Sequence, residues 1–376
     1  MNLKIKIFSF LVYVFFFLCL LPVASFFYKH PAYNWDMLGY MALVVRKDGV
    51  KDINDIHRIT YNSAKKDIPP EYYRRLVESP PHRVRFANDP SYFNKILPIH
   101  VVKPLYVWSA YLFYKAGFTL PLATVIPSII AYILIGLLLF HWLKRYFKTG
   151  IAFLSALLIM TSMFMEASSK GSSPDNLSAF FLFAAFYFVL EKPISWLIFL
   201  FLLLAVFTRA DNVITCFFLL SLLAFSGKWK GTITTTNYFL MLAILGASYL
   251  LIILPVRQFG WSLFYYAEYA RHMDFNRDFD KPLSLPDYFS YMYSKAVTGF
   301  VNSNFTFFMF LMLLVMFPIR MHRLTFDQVL VLLFSLIILI RFILLPDLSD
   351  RFYISFYLVI LILLVRKLSV SIPMKI

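Results

Sequence analysis

Long runs of apolar residues separated by short polar turns dominate the chain. A hydrocarbon core of ~30 Å is crossed by about 20 residues of helix. Ten runs approach that length: 5–27, 121–142, 151–165, 176–190, 194–208, 213–225, 234–254, 300–317, 326–345 and 352–365. The pattern predicts an all-α polytopic membrane protein of about ten transmembrane helices, folded as one membrane domain. Lys4 and Lys6, then Lys144, Arg145 and Lys148, then Lys192, Lys228 and Lys230, then Arg320 and Arg323, and finally Arg366, Lys367 and Lys375 fall on alternate connections. Basic connections stay cytoplasmic, so both termini are expected inside. Two long loops, 28–120 and 255–299, are then expected outside.

Two segments strain this count. The run 101–118 is apolar but carries Lys103, Pro104 and Lys115, and counting it would invert every later loop. It reads as one amphipathic helix on the outer interface, where Trp and Tyr prefer to lie. The first run is longer than the ~7–15 apolar residues of a signal peptide. A retained anchor is therefore favoured over a cleaved leader, although Val23-Ala24-Ser25 resembles a cleavage site.

Composition narrows the class. Of 376 residues, 60% are hydrophobic and only 15% charged, against roughly 25% charged in soluble proteins. Neither a phosphate-binding G-x-x-x-x-G-K-[ST] nor a dinucleotide-binding G-x-G-x-x-G occurs. The seven His form no H-E-x-x-H, and Cys19 and Cys216 both fall inside apolar runs, so neither a zinc site nor a disulfide framework is indicated. The net charge of +16 sits in loops between apolar runs, which points to an anionic lipid surface and not to nucleic acid. No cofactor is required. Asp274, Asp278 and Asp280 offer carboxylates for a divalent cation, but with Arg271, Arg277 and Lys281 among them they read as a solvated mixed-charge loop.

Charges within membrane spans are costly and usually functional, so their depth matters. They gather at the expected outer ends: Asp36; Glu166, Lys170 and Asp175; Arg209 and Asp211; Arg341, Asp347, Asp350 and Arg351. A pump would be expected to place carboxylates near the midplane. The pattern instead suits a site at the outer boundary, for a substrate with a polar head and a tail in lipid. Each signal has a plainer reading. Asp36 fits an N-cap for a short helix over 37–46, Ser173-Pro174-Asp175 fits a helix start, and Arg209 with Asp211 fits a surface ion pair. If the stretch after Trp35 is helical, Asp36 and Tyr40 share a face.

The order of Trp35-Asp36 with Tyr40 four residues on, Lys103-Pro104-Leu105-Tyr106, and Ser173-Pro174-Asp175-Asn176-Leu177 leading into an aromatic span resembles the GT-C membrane glycosyltransferases. The nearest groups are the bacterial protein mannosyltransferases and the lipid A aminoarabinose transferases. The resemblance covers most of the chain and rests on short motifs. It implies outer loops carrying helices along the membrane, an active site on the non-cytoplasmic face, and location in a bacterial inner membrane. By position it implies Asp36 as general base on the acceptor, Asp175 as a substrate-orienting carboxylate, and Arg351 as a contact to a lipid phosphate. The Asp-Glu pair of the eukaryotic protein mannosyltransferases is missing, which argues against protein O-mannosylation.

The corresponding chemistry moves a sugar from a polyprenyl-phosphate donor to a glycan or lipid acceptor. Arg209, Arg351 and Lys170 are candidates to stabilise the leaving phosphate, and Tyr40 to hydrogen-bond sugar or phosphate. Two alternatives stay open: a transporter or flippase for a lipid-linked saccharide, and an enzyme resembling the O-antigen polymerases, which would use Arg257, Arg271 and Arg277.

Overall fold

The structure is a computed structural model that describes residues 3–79, 81–225, 233–256, 285–318 and 324–371. Lys228, Lys230, Arg320, Arg323 and Lys375 lie outside the described residues. So do Arg257, Arg271, Asp274, Arg277, Asp278, Asp280 and Lys281, and with them most of the loop expected over 255–299.

Every regular element among the described residues is helical. The first half contains α1 (Leu3–Lys29), α2 (Asp36–Lys47), α3 (Ile53–Asp67), α4 (Pro70–Val77), α5 (Pro81–Asn88), α6 (Pro90–Val101), α7 (Pro104–Lys115), α8 (Leu120–Leu143) and α9 (Thr149–Met160). The second half contains α10 (Met163–Ser169), α11 (Asp175–Glu191), α12 (Ser195–Thr208), α13 (Val213–Phe225), α14 (Thr235–Ile253), α15 (Leu285–Asn302), α16 (Phe305–Met316), α17 (Phe326–Leu344) and α18 (Ile354–Ser371).

Among the described residues four helices are long and apolar enough to cross a membrane, or up to seven if each sharply bent pair forms one span. The remaining runs of the expected ten do not form such helices singly among the described residues, and several are short or broken. The run 151–165 bends by 58° between α9 and α10, and the run at 300–317 continues a helix from 285 and bends by 79° between α15 and α16. Helices α12 and α13 are apolar but short. Large apolar side chains stay exposed along α1, α14 and α16, among them Phe8, Phe10, Leu251 and Phe307. Such faces suit a lipid surround, where no hydrophobic penalty attaches to them.

Two cores result. The larger gathers α1, α8, α11, α12, α13, α17 and α18 around Phe140, Trp142, Phe183, Phe186 and Phe334. The smaller binds α2 to α7 into a helical lobe around Met37, Leu38, Tyr61, Phe93, Ile96 and Tyr106, and this lobe packs through α2, α3 and α7 on α8. Within the run 101–118, expected as one helix, 104–115 forms α7, and α6 before it meets α7 at 110°. Pro104 opens α7 and cannot donate to a preceding turn, and the residue before a proline is pushed out of the helical region. Lys103 therefore sits at the corner with φ −129° and ψ 56°.

A charged cavity where the lobe meets the bundle

The approach to α2 is constrained before any charge is considered. Tyr33 adopts φ 42°, a left-handed conformation that costs a residue with a Cβ about 1–2 kcal/mol. Asn34 holds it there: its side chain donates to Ser172 O at 3.1 Å and accepts from Ser172 N at 2.9 Å. Ala32 N donates to Lys170 O at 2.9 Å. The chain before α2 is thus stitched to the turn before α11.

That turn is pinned from below as well. Thr124 and Ser172 share a hydroxyl hydrogen bond of 2.7 Å, and Ser128 Oγ donates to Ser173 O at 2.8 Å. Asn176 Nδ2 donates to Ser169 Oγ at 2.8 Å, and Asn212 Nδ2 donates to Ser178 Oγ at 2.7 Å. Buried polar groups need such partners; here they fix where Asp175 starts its helix.

Asp36 is the first residue of α2, with Trp35 in the capping position and no side-chain cap bond. The N-cap expectation for Asp36 is therefore corrected: its carboxylate is directed across a cavity, with Arg351 Nη1 at 3.4 Å and His100 Nε2 at 3.9 Å. Asp175 is 2% exposed and bound by Arg209 Nη1 and by the Ser173 hydroxyl, with Arg351 Nε at 3.8 Å. Arg209 also forks onto Asp211, Nη2 at 2.9 Å and Nε at 3.1 Å, and Arg341 Nη2 pairs with the same carboxylate. Arg341 further donates to Phe352 O at 3.2 Å.

The cavity framed by these groups encloses about 730 Å³ of empty space, including its opening. Asp36, Tyr40, Asp175, Arg209 and Arg351 all line it. Five of the six expected site residues are therefore brought together from α2, the start of α11, the turn after α12 and the turn before α18. Lys170 is not: it pairs with Glu166 one helical turn back and lies 4.6 Å over the Phe26 ring. Its i,i+4 partner and the aromatic face of α1 hold it away.

Three residues join that were not expected as site residues. Asp211 completes the Arg209 fork. Lys103 lines the cavity from the α6–α7 corner, its ammonium donating to Ile99 O at 3.0 Å. The signal was a cation beside a proline inside the apolar run 101–118. His100 lies edge-on to Tyr40 with ring centroids 4.8 Å apart. It fits only because residue 39 is glycine, where an added Cβ would lie 2.5 Å from the imidazole. Nothing in the sequence marked His100 out.

Electrostatics set the roles these groups can play. Burial would lower the Arg209 guanidinium, but Asp211 and Asp175 outweigh it and hold it cationic. Burial would raise the Asp211 carboxyl, but Arg209 and Arg341 prevail and push it well below the usual range. Burial, reinforced by Asp36, raises the Tyr40 phenol well above its ordinary value, so Tyr40 acts as a hydrogen-bond donor and not as a base. Asp175 and Asp211 are consumed by their cations. Asp36 is different in its access to the cavity: 34% of its side chain is exposed, against 2% for Asp175 and 14% for Asp211. Trp35 lines the same cavity, and its indole Nε1 is buried without a hydrogen-bond partner among the described residues. Among the described residues no group of three or more His, Cys, Asp or Glu side chains is placed to hold a metal ion.

No protein-family model, curated protein or solved structure matches the chain.

Proposed function

We propose that the protein is an integral-membrane glycosyltransferase of GT-C type, moving a sugar from a polyprenyl-phosphate donor to a lipid-linked or envelope glycan acceptor on the extracytoplasmic face. The observation that carries this reading is the meeting of Asp36, Asp175, Arg209 and Arg351 in one cavity, although they are scattered over more than three hundred positions of sequence.

Asp36 is the general base. A carboxylate that is partly exposed and lines the cavity can reach a bound hydroxyl and take its proton; one locked in a buried ion pair cannot do so without leaving its cation unpaired. The acceptor oxygen attacks the anomeric carbon, forming the new C–O bond. The bond to the phosphate oxygen breaks, and the leaving phosphate departs with the electron pair while the proton passes to Asp36. Arg351 faces the cavity with 38% of its side chain exposed, so it is the cation best placed to receive developing phosphate charge. Arg209 holds the frame, and Asp175 orients Arg351 from behind. A single displacement of this kind inverts the anomeric centre without a covalent sugar intermediate.

The test is Asp36→Asn, read by mass spectrometry of lipid-linked saccharides in cells carrying wild type, variant or neither. Product should disappear with the variant while the amount of folded membrane protein stays near wild type. Transfer retained within a few-fold of wild type would refute the assignment.

A further inference from the structure

Arg351 belongs to the walls of two cavities. The second lies on the opposite flank, between α10, the sharp bend joining α15 to α16, and the segment 347–350, and encloses about 1490 Å³ including its opening. It is a built chamber. Asp350 clasps the bend by accepting from Asn304 N at 3.0 Å and Asn304 Nδ2 at 2.7 Å, and takes a third hydrogen bond from Tyr357 OH at 3.1 Å. Gly299 lets α15 close onto the segment, since a Cβ there would lie 2.5 Å from Leu348 Cβ.

The lining differs in kind from that of the first cavity. Two cations, Lys295 and Arg351, face two carboxylates, Asp347 and Asp350, so the formal charges cancel and no anion is favoured. Most of the remaining polar lining consists of hydroxyls and amides, among them Ser168, Thr298, Asn302 and Ser349. Hydroxyls and amides present donors and acceptors together, as carboxylates and ammoniums cannot. A neutral ligand covered in hydroxyl groups matches such a surface. The rim is apolar: Met163 is 83% exposed and Val301 74% exposed, and both line the chamber. They sit at the breaks of two bent helix pairs that are apolar enough to lie in a membrane.

We infer that this chamber is the subsite for the saccharide of a lipid-carried acceptor, its hydroxyl-rich head against Asn302, Thr298 and the 347–350 segment and its lipid leaving past Met163 and Val301. The inference rests on the glycosyltransferase reading for the word acceptor; the binding chemistry stands without it. Arg351 then forms the partition between the sugar that is extended and the phosphate that departs.

The experiment is photolabelling of the purified full-length protein in a polyether detergent, using diazirine-tailed alkyl glycosides of glucose, galactose, mannose and N-acetylglucosamine. Labelled peptides are mapped by mass spectrometry. At least one glycoside should label 163–168 and 295–304, and excess octyl glycoside of the same sugar should compete while octanol should not. Asn302→Ala should cut the labelling about five-fold and Val301→Trp about ten-fold, with Asp36→Asn unchanged. Labelling spread evenly over the exposed apolar helices, competition by octanol as effective as by the glycoside, or no effect of Asn302→Ala would overturn the subsite. Failed labelling alongside Asp36-dependent transfer removes the subsite alone. Intact labelling with transfer indifferent to Asp36→Asn removes the catalytic reading alone.

Discussion

Helix α11 carries a carboxylate at each end, and the two are treated in opposite ways. Glu191, at its last residue, receives Arg145 Nε at 2.7 Å, Trp142 Nε1 at 3.0 Å and the Tyr146 hydroxyl. Beside it, His141 bridges Tyr13 and Tyr187 through hydrogen bonds of 2.7 and 3.0 Å. Roughly 24 Å away along the helix, Asp175 is equally locked, but it borders a cavity in which Asp36 and Arg351 face each other at 3.4 Å. The ingredients are similar, acids with Arg and aromatic neighbours. A closed cluster of short contacts joins helices together. A cluster that opens onto a cavity keeps charged groups within reach of something else.

The sharpest way to break this comparison is Arg209→Ala. It strips a buried cation from Asp175 and Asp211 together, and stability should fall by about 3–5 kcal/mol, read by thermal unfolding in detergent. A loss below 1 kcal/mol would mean that the frame is not held by this fork. Gly39→Ala comes next: the new methyl meets the His100 ring, and overpacking of this kind costs about 1–3 kcal/mol. Transfer should fall with it because the α2 turn bearing Asp36 must shift, and His100→Ala in the same chain should restore part of the stability.

Glu191→Gln should cost about 1–2 kcal/mol, since charged hydrogen bonds are replaced by neutral ones. Transfer per folded molecule should be unaltered; a selective loss of activity would erase the distinction between the two ends. The smallest effect concerns Lys103. Burial lowers its ammonium to about 8 from an ordinary 10.5, against the opposing pull of Asp36. Between those values the unfolded chain binds more protons than the folded one, so stability should rise with pH across that window. Lys103→Gln should flatten the rise in melting temperature measured from pH 8 to 10.

Much of the charged cavity was legible because ionisable residues are scarce in so apolar a chain. Asp36, Asp175, Arg209 and Arg351 each stand at the margin of an apolar run, and their common placement on one side was the clue. Lys170 looked identical by that criterion, yet Glu166 one turn earlier captures it, a local contact that margins alone do not rank. His100 and its glycine seat arise from packing between α2 and α6, which no spacing encodes. The bends at 161–162 and 303–304 were not legible, because they occur at turns without Pro or Gly, where the side chains of Thr161, Ser162 and Ser303 hydrogen-bond backbone carbonyls of the preceding turn.

The fork on Arg209 also bears on how the chain is made. Asp175 meets its guanidinium only 34 positions later, so during synthesis this nearly inaccessible acid finds its counterion soon after it emerges. Asp36 and Arg351 are 315 positions apart, so the cavity they share is completed only late in synthesis. Nascent chains halted before residue 351 should therefore insert stably yet be inert.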